Sequence, residues 1–232
     1  MLLYIVRHGE TRLNEKGCLQ GWIDEPLNQK GRDLALETGE GLKDVRFDLI
    51  FTSPLIRAKE TAELVSKPSR KQFGEIPIVE DDRLKEINWG SWEGEGCLEN
   101  NFSVPCDHYN QFFTDAYDFE GAPDGESVKE VCERTADFYQ KLIGNPECQD
   151  KTILISTHGC AMRAMLRQVY TDLSDFWHGH VPYNCAVNIV EVKDGKSTLL
   201  GDDKIYYDPA LCVNNYKVVD KIANCDKVNS FL

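Results

Sequence analysis

The sequence lacks any long apolar run. No stretch approaches the roughly 20 consecutive apolar residues that a membrane-spanning helix needs, and residues 1–7 have neither the basic start nor the long apolar segment of a signal peptide. Hydrophobic residues make up 41% of the 232 residues and charged residues 28%, which suits a globular chain of this length. We therefore expect a cytoplasmic protein without a membrane partner, built as one domain over residues 1–232.

Disulfide and metal patterns are missing as well. The nine cysteines are scattered and odd in number, and none forms a C-x-x-C pair or a Cys/His cluster with zinc spacing. His178 and His180 lie close together in the chain, but no third ligand accompanies them. We therefore expect free thiols, no metal and no cofactor.

Positive charge is in the minority. The 26 lysines and arginines face 39 acidic residues, so the formal net charge is −13. An acidic surface of this kind argues against nucleic acid as a partner. It does not argue against a small anionic substrate, because a small site can concentrate positive charge inside an acidic protein.

Short apolar runs alternate with helical patterns along the chain. The runs predict strands at 2–6, 48–52, 76–79 and 152–157, and the helical patterns fall at 31–43, 56–67, 127–143 and 160–170. A hairpin is predicted over 186–200, at one edge of the sheet. This order predicts an α/β fold, a three-layer α/β/α sandwich around a mostly parallel sheet with an antiparallel edge strand.

Two segments depart from this alternation. Residues 91–125 are rich in aromatic side chains and contain no lysine or arginine. They predict a loop and helix inserted over one end of the sheet, which would act either as a lid or as a surface excursion with its own small core. Residues 201–232 are polar and predict a C-terminal tail with a short helix near 214–223.

Two histidines directly follow predicted strands. His8 comes after the strand at 2–6 and His158 after the strand at 152–157, and each is followed by a glycine that lets the backbone approach a ligand closely. Ligands of open α/β sheets bind beyond the carboxyl ends of the strands. If both strands are central, the two histidines should therefore face each other at that edge.

Two arginines and a glutamate are expected at the same edge. Arg7 is adjacent to His8, Arg57 opens the helix after the strand at 48–52, and Glu86 follows the strand at 76–79. Guanidinium groups and helix starts bind phosphoryl oxygens, a neutral imidazole attacks phosphorus, and a carboxyl group can protonate the leaving alkoxide. The set predicts phosphoryl transfer through a phosphohistidine on His8, with Glu86 as the acid and no metal.

Together these motifs resemble the histidine phosphatase superfamily, also called the phosphoglycerate mutase-like family. Its signature Arg-His-Gly-Glu-Thr stands at 7–11, and further matching segments follow in order at 13–31, 52–62, 84–94, 125–127 and 156–159. The resemblance implies a mostly parallel sheet with helices on both faces, phosphorylation of His8 and proton donation by Glu86. It also implies phosphate contacts from Arg7, Asn14, Gln20, Gly21, Arg57, His158 and Gly159.

The segment around Glu86 distinguishes two branches of that family. Residues 86–94 resemble the corresponding segment of the broad-specificity phosphatases. A mutase that binds phosphoglycerate would need cationic side chains in 91–125, and this segment contains no lysine or arginine. We therefore expect a metal-independent histidine acid-type phosphatase acting on a small-molecule phosphate ester whose leaving group is neutral, stacked or apolar. A phosphoglycerate mutase-type transferase and an inactive phosphate-binding module remain as alternatives. A homodimer through a sheet edge or the aromatic insertion is also open.

Overall fold

Six strands form one mixed sheet in the computed structural model, which describes residues 1–105 and 108–212. The strands are β1 (Leu2–Arg7), β2 (Leu49–Thr52), β3 (Ile78–Glu80), β4 (Thr152–Thr157), β5 (Val187–Lys193) and β6 (Lys196–Lys204). Their order across the sheet is β3-β2-β4-β1-β5-β6. The first four strands run parallel, whereas β5 is antiparallel to β1 and β6 to β5. The predicted strands and edge hairpin are confirmed, although β3 begins two residues later than the predicted run at 76–79.

Helices cover both faces of this sheet. They are α1 (Arg12–Lys16), α2 (Gln29–Gly41), α3 (Ile56–Phe73), α4 (Gln111–Thr114), α5 (Val128–Ile143) and α6 (Gly159–Leu166). Side chains of α5 and α6 share a core with Leu3 and Ile153, and those of α2 and α3 share another with Val6 and Leu154. Successive strand residues point to opposite faces, so β1 carries apolar residues over 2–6 and β4 over 153–155, toward both layers of helices. The predicted three-layer architecture is confirmed.

The helix α3 is longer than the sequence pattern predicts. It continues through Pro68 to Phe73, six residues beyond the predicted end at residue 67. Proline lacks the N–H that would bond to the preceding turn, which is why a helix is expected to stop before it. Here the next turn is held from outside, because the Ser69 hydroxyl donates to the Val45 carbonyl at 2.7 Å.

The aromatic insertion consists of short helical turns around a core of its own. Besides α4 it contains 3-10 turns at Gly90–Trp92 and Ala116–Asp118. Its core joins Trp92, Tyr109, Phe112 and Phe119 with Trp177, which lies beyond α6 in the chain. The insertion therefore packs against the part of the domain that follows β4, and its small core is continuous with that region.

The predicted tail begins later than expected. Residues 201–204 belong to β6, so the prediction of a tail from residue 201 is wrong for these positions. The strand is prolonged because Asp203 and Asn188 of β5 exchange hydrogen bonds, with Asn188 Nδ2 donating at 2.9 Å and the Asp203 amide donating back at 3.1 Å. The helix predicted near 214–223 lies outside the described residues.

Two further expectations concern the residues that the structure describes. No helix among them has the length and apolar character needed to cross a membrane. Seven of the cysteines fall in the same part of the chain, and all seven are free thiols.

Candidate active site

The two histidines meet at the carboxyl end of the sheet. Strands β1 and β4 are parallel neighbours with Arg7 level with Thr157, so the residues that follow them emerge side by side. The rings of His8 and His158 lie with centroids 5.1 Å apart and planes 58° apart. The structure therefore brings this pair together as the strand pattern predicts.

His8 is held in one tautomer by its own backbone. Its Nδ1 lies 2.7 Å from the Gly9 carbonyl, and because a carbonyl can only accept, Nδ1 carries the proton. The lone pair is then on Nε2. Burial, followed by the charges of Arg57 and Arg7, lowers the pKa of His8 well below 6.5. The imidazole is thus neutral at physiological pH, which is the form a nucleophile requires.

His158 is fully buried beside the first histidine. Its Nε2 lies 2.8 Å from Ser53 Oγ, which itself accepts from the Leu55 amide at 3.3 Å. The hydroxyl proton of Ser53 can therefore go to Nε2, which leaves the His158 proton on Nδ1. Within the described residues Nδ1 has no hydrogen-bond partner. A buried N–H of this kind is costly unless a ligand oxygen accepts it.

The arginines are anchored by backbone carbonyls. Arg57 is fully buried, and its Nη2 and Nη1 donate to the carbonyls of Gly21 at 2.7 Å and Ile23 at 3.0 Å. Arg7 donates through Nη1 to the Pro182 carbonyl. Burial lowers the pKa of Arg57 to about 10, so the group remains charged at neutral pH. The positive charges of Arg57 and Arg7 both disfavour protonation of His8 and so contribute to its lowered pKa.

Glu86 lies over the first turn of α6. Its side chain accepts the backbone N–H of Ile87 at 3.0 Å, Ala161 at 3.1 Å and Cys160 at 3.2 Å. Unpaired N–H groups at a helix start favour a negative charge there. The residue is 9% exposed and borders the same cavity as His8, which suits a group that exchanges protons with a bound molecule.

The remaining predicted residues divide into two groups. Asn14, Gln20 and Gly159 line the cavity beside His8. The Gln20 Oε1 accepts from Thr11 Oγ1 at 2.6 Å, and its buried Nε2 has no partner within the described residues, so it is a donor available to a ligand. Gly21 is placed differently, because its N–H donates to Glu93 at 3.0 Å and its carbonyl binds Arg57. Its contribution therefore passes through Arg57.

Much of the cavity wall beside His8 is aromatic. Residues from the insertion and from the segment after α6 form this wall, namely Tyr109, Phe112, Phe113 and Trp177, with Leu19, Ile87, Trp89 and Val181 beside them. The Trp177 indole N–H donates to the Phe112 carbonyl at 2.7 Å and ties the two segments together. The aromatic composition of 91–125 signalled part of this wall, whereas nothing in the sequence pattern singled out Trp177.

Several supporting residues were not identified from the sequence. Pro182 anchors Arg7, and Asn184 Nδ2 donates to the His8 carbonyl at 2.9 Å. Both lie in an irregular segment before β5, where no periodicity marks individual positions. Ser53 lies within the matching segment 52–62, but its role depends on its hydrogen bond to His158, which is distant in sequence.

A metal centre finds no support in the described part of the chain. There, no group of three or more histidine, cysteine, aspartate or glutamate side chains is arranged to hold an ion. His180 instead approaches Asp203, with 3.2 Å between Nε2 and Oδ2.

Comparison with known proteins gives a consistent result. The sequence profile described as Histidine phosphatase superfamily (branch 1) matches residues 3–202. An uncharacterized phosphatase PhoE of Bacillus subtilis is 36% identical over 165 residues, covering 71% of this chain and 75% of that protein. A 2,3-bisphosphoglycerate-dependent phosphoglycerate mutase 2 of Gloeobacter violaceus is 34% identical over 170 residues, covering 72% and 75%. The solved structure of Bacillus stearothermophilus YhfR matches with a TM-score of 0.76 at 32% identity, covering 88% and 97%.

Proposed function

This chain belongs to the histidine phosphatase superfamily, branch 1, and we propose that it is a phosphomonoesterase that hydrolyses a small-molecule phosphate ester through a phosphohistidine on His8. The observation that carries the proposal is the state of His8. Its Nδ1–H donates to the Gly9 carbonyl, and its ring lies beside that of His158. His8 also lines a cavity together with Arg7 and Glu86.

In the first half-reaction, Nε2 of His8 attacks phosphorus while the bond from phosphorus to the ester oxygen breaks. Arg7, Arg57 and His158 bear positive charge or N–H groups toward the phosphoryl oxygens, where charge redistributes in the transition state. Glu86 in its protonated form gives a proton to the departing alkoxide. The products of this step are the free alcohol and phosphorylated His8.

In the second half-reaction, water replaces the alcohol. Glu86, now ionised, takes a proton from water while the oxygen attacks phosphorus, and the bond from phosphorus to Nε2 breaks. Inorganic phosphate leaves and His8 is neutral again. The positive charge needed in both steps comes from the arginines, so the proposed route uses no metal.

The aromatic wall favours hydrolysis over a mutase reaction. A phosphoglycerate carries a carboxylate beside its phosphate, and such a group needs a cation or several donors when it is buried. Tyr109, Phe112, Phe113 and Trp177 stand at this place, and residues 91–125 contain no lysine or arginine. An uncharged leaving group with apolar or aromatic surface matches these side chains. Since relatives include both a phosphatase and a mutase, activity itself must decide.

The test measures release of inorganic phosphate from a panel of esters that includes p-nitrophenyl phosphate and phosphoglycerates, with and without EDTA. We expect hydrolysis that survives EDTA in the wild type and is absent in His8→Ala. Interconversion of phosphoglycerates without phosphate release would replace the phosphatase by a mutase. Loss of activity in EDTA would refute the metal-independent route.

A further inference from the structure

One carboxylate that the proposed reaction does not use accepts four backbone hydrogen bonds. Glu93 follows the 3-10 turn Gly90–Trp92. Its Oε1 accepts the N–H of Trp22 at 2.6 Å and of Trp89 at 3.2 Å, and its Oε2 accepts the N–H of Gly21 at 3.0 Å and of Ile23 at 3.3 Å. A single side chain thus holds three consecutive residues of the segment 21–23, which we call the arginine-holding loop.

The same loop holds Arg57 from its other side. The carbonyls of Gly21 and Ile23 accept from the Arg57 guanidinium at 2.7 Å and 3.0 Å. The peptide group between Gly21 and Trp22 therefore donates its N–H to Glu93 and offers its carbonyl to Arg57. Hydrogen bonds to charged groups are stronger than neutral ones, and a peptide placed between an anion and a cation is polarised by both.

The loop also contacts the backbone of the proposed acid. The indole N–H of Trp22 donates to the Glu86 carbonyl at 2.9 Å. The loop is closely packed at Gly21, since a side chain there would collide with the Ile87 carbonyl oxygen and with Glu93 Oε1. Arg57 and Glu86 are thereby connected to one rigid segment that Glu93 secures.

We infer that Glu93 is a positioning residue, which acts through the arginine-holding loop to aim Arg57 and Glu86 at the phosphoryl group. The inference rests on the proposed function for the reaction that this positioning serves. Arg57 has no freedom to compensate, because two of its nitrogens are committed to the loop carbonyls in a fully buried setting. Release of the loop therefore re-aims the guanidinium even though Arg57 itself is retained.

Glutamine at position 93 is the informative substitution. It has almost the shape of glutamate, but one acceptor oxygen becomes an NH2 group that would face N–H donors of the loop. Aspartate keeps both oxygens on a shorter side chain and should restore part of the grip. Glu147→Gln serves as the matched control. Glu147 is exposed in the 3-10 turn Pro146–Cys148, which precedes β4 and therefore lies at the amino end of that strand, whereas His158 follows its carboxyl end.

The experiment compares these variants in two assays. The first gives kcat/KM for an ester that the wild type hydrolyses, and the second gives the affinity for inorganic phosphate by calorimetry. We expect kcat/KM of Glu93→Gln to fall about 100-fold, the scale of a misplaced catalytic group, and phosphate binding to weaken about tenfold, the scale of one lost charged hydrogen bond. Glu93→Asp should be intermediate and Glu147→Gln unchanged, with Tm recorded for each.

Phosphate affinity separates positioning from mere structural support. A variant that is only partly folded loses activity, whereas its folded fraction binds phosphate normally, and that result would overturn the inference. Wild-type behaviour of Glu93→Gln in both assays would also overturn it. If Glu93→Gln does not fold, Glu93→Asp with normal Tm takes its place, and weakened phosphate binding supports the inference while unchanged binding overturns it.

The outcome also distinguishes this inference from the proposed function. If the wild type hydrolyses no ester, the phosphatase proposal fails, and calorimetry with phosphate still judges Glu93 by the same criterion. If the wild type does not bind phosphate either, both proposals are refuted.

Discussion

Replacing Glu86 with glutamine should leave the protein folded and remove its proton transfer. Oε1 of Glu86 accepts two backbone N–H groups, from Ile87 and Ala161, and Oε2 accepts one, from Cys160. The amide oxygen of glutamine can keep the first two bonds, and its NH2 then faces the Cys160 N–H. One buried hydrogen bond is lost, which costs about 1 to 3 kcal/mol, against a total stability of about 5 to 15 kcal/mol for a typical domain.

The chemical loss should be larger and should depend on the leaving group. A positioned acid or base contributes about 10²- to 10⁴-fold, equivalent to about 3 to 5 kcal/mol of barrier. Ethyl phosphate releases a strongly basic alkoxide and should show the full loss. p-Nitrophenyl phosphate releases a stable phenolate, so its first step should proceed and phosphorylated His8 should accumulate, because Glu86→Gln cannot deprotonate water.

The assay follows product release by rapid quench and the phosphoenzyme by intact-protein mass spectrometry. Glu130→Gln is the matched control, because Glu130 also accepts a backbone N–H at a helix start, that of Ser127 at 2.8 Å, but is exposed and does not border the cavity. Hydrolysis of ethyl phosphate by Glu86→Gln at the wild-type rate, with no phosphoenzyme, would refute the assignment of Glu86 as acid and base.

Two further expectations follow from the buried groups around the cavity. Burial in the first place, and then the charge of Arg57, lowers the pKa of both His8 and His158 well below 6.5, so the unfolded chain binds more protons than the folded one as the pH falls below 6.5. Stability should therefore be intact above pH 6.5 and decline as the pH falls below that value. Tm measured against pH should show a shallower decline for His8→Asn, and equal slopes would contradict this origin. Phe113 lines the cavity, whereas Phe102 packs on the same aromatic core outside it. Phe113→Ala should raise KM for phenyl phosphate about fivefold, the value of one aromatic contact, and leave ethyl phosphate unaffected; an equal effect from Phe102→Ala would show that the core and not the cavity wall is responsible.

The sheet and the pair His8 and His158 were predictable because their signals are local. Strand β1 passes directly into Arg7 and His8, and β4 passes directly into His158, so recognising two buried strands was enough to place both histidines at one edge. The end of α3 was not predictable from the same kind of pattern. A proline such as Pro68 normally ends a helix. The hydrogen bond that holds the next turn runs from Ser69 in α3 to Val45 in the loop before β2, and the sequence pattern does not reveal that contact.

The roles of the supporting side chains were less accessible. Gly21 was expected to bind phosphate because it lies in a matching segment, yet its two backbone groups are engaged by Glu93 and Arg57. Glu93 falls in the matching segment 84–94, but the sequence pattern assigns it no role of its own. Its importance comes from four backbone donors that reach it from two separate segments.

The order of apolar runs and the residues that directly follow them specify the α/β architecture and the histidines that meet at the candidate active site. The spacing of apolar side chains and the residues that directly follow a strand involve only a few neighbouring positions, so both can be recognised in the sequence. The orientation of Arg57, the hydrogen bond between His158 and Ser53, and the aromatic wall shared by Phe112 and Trp177 arise from folding. Partners in a hydrogen bond or a cavity wall are selected by distance and direction in space, and residues far apart in sequence acquire both only when the layers pack together.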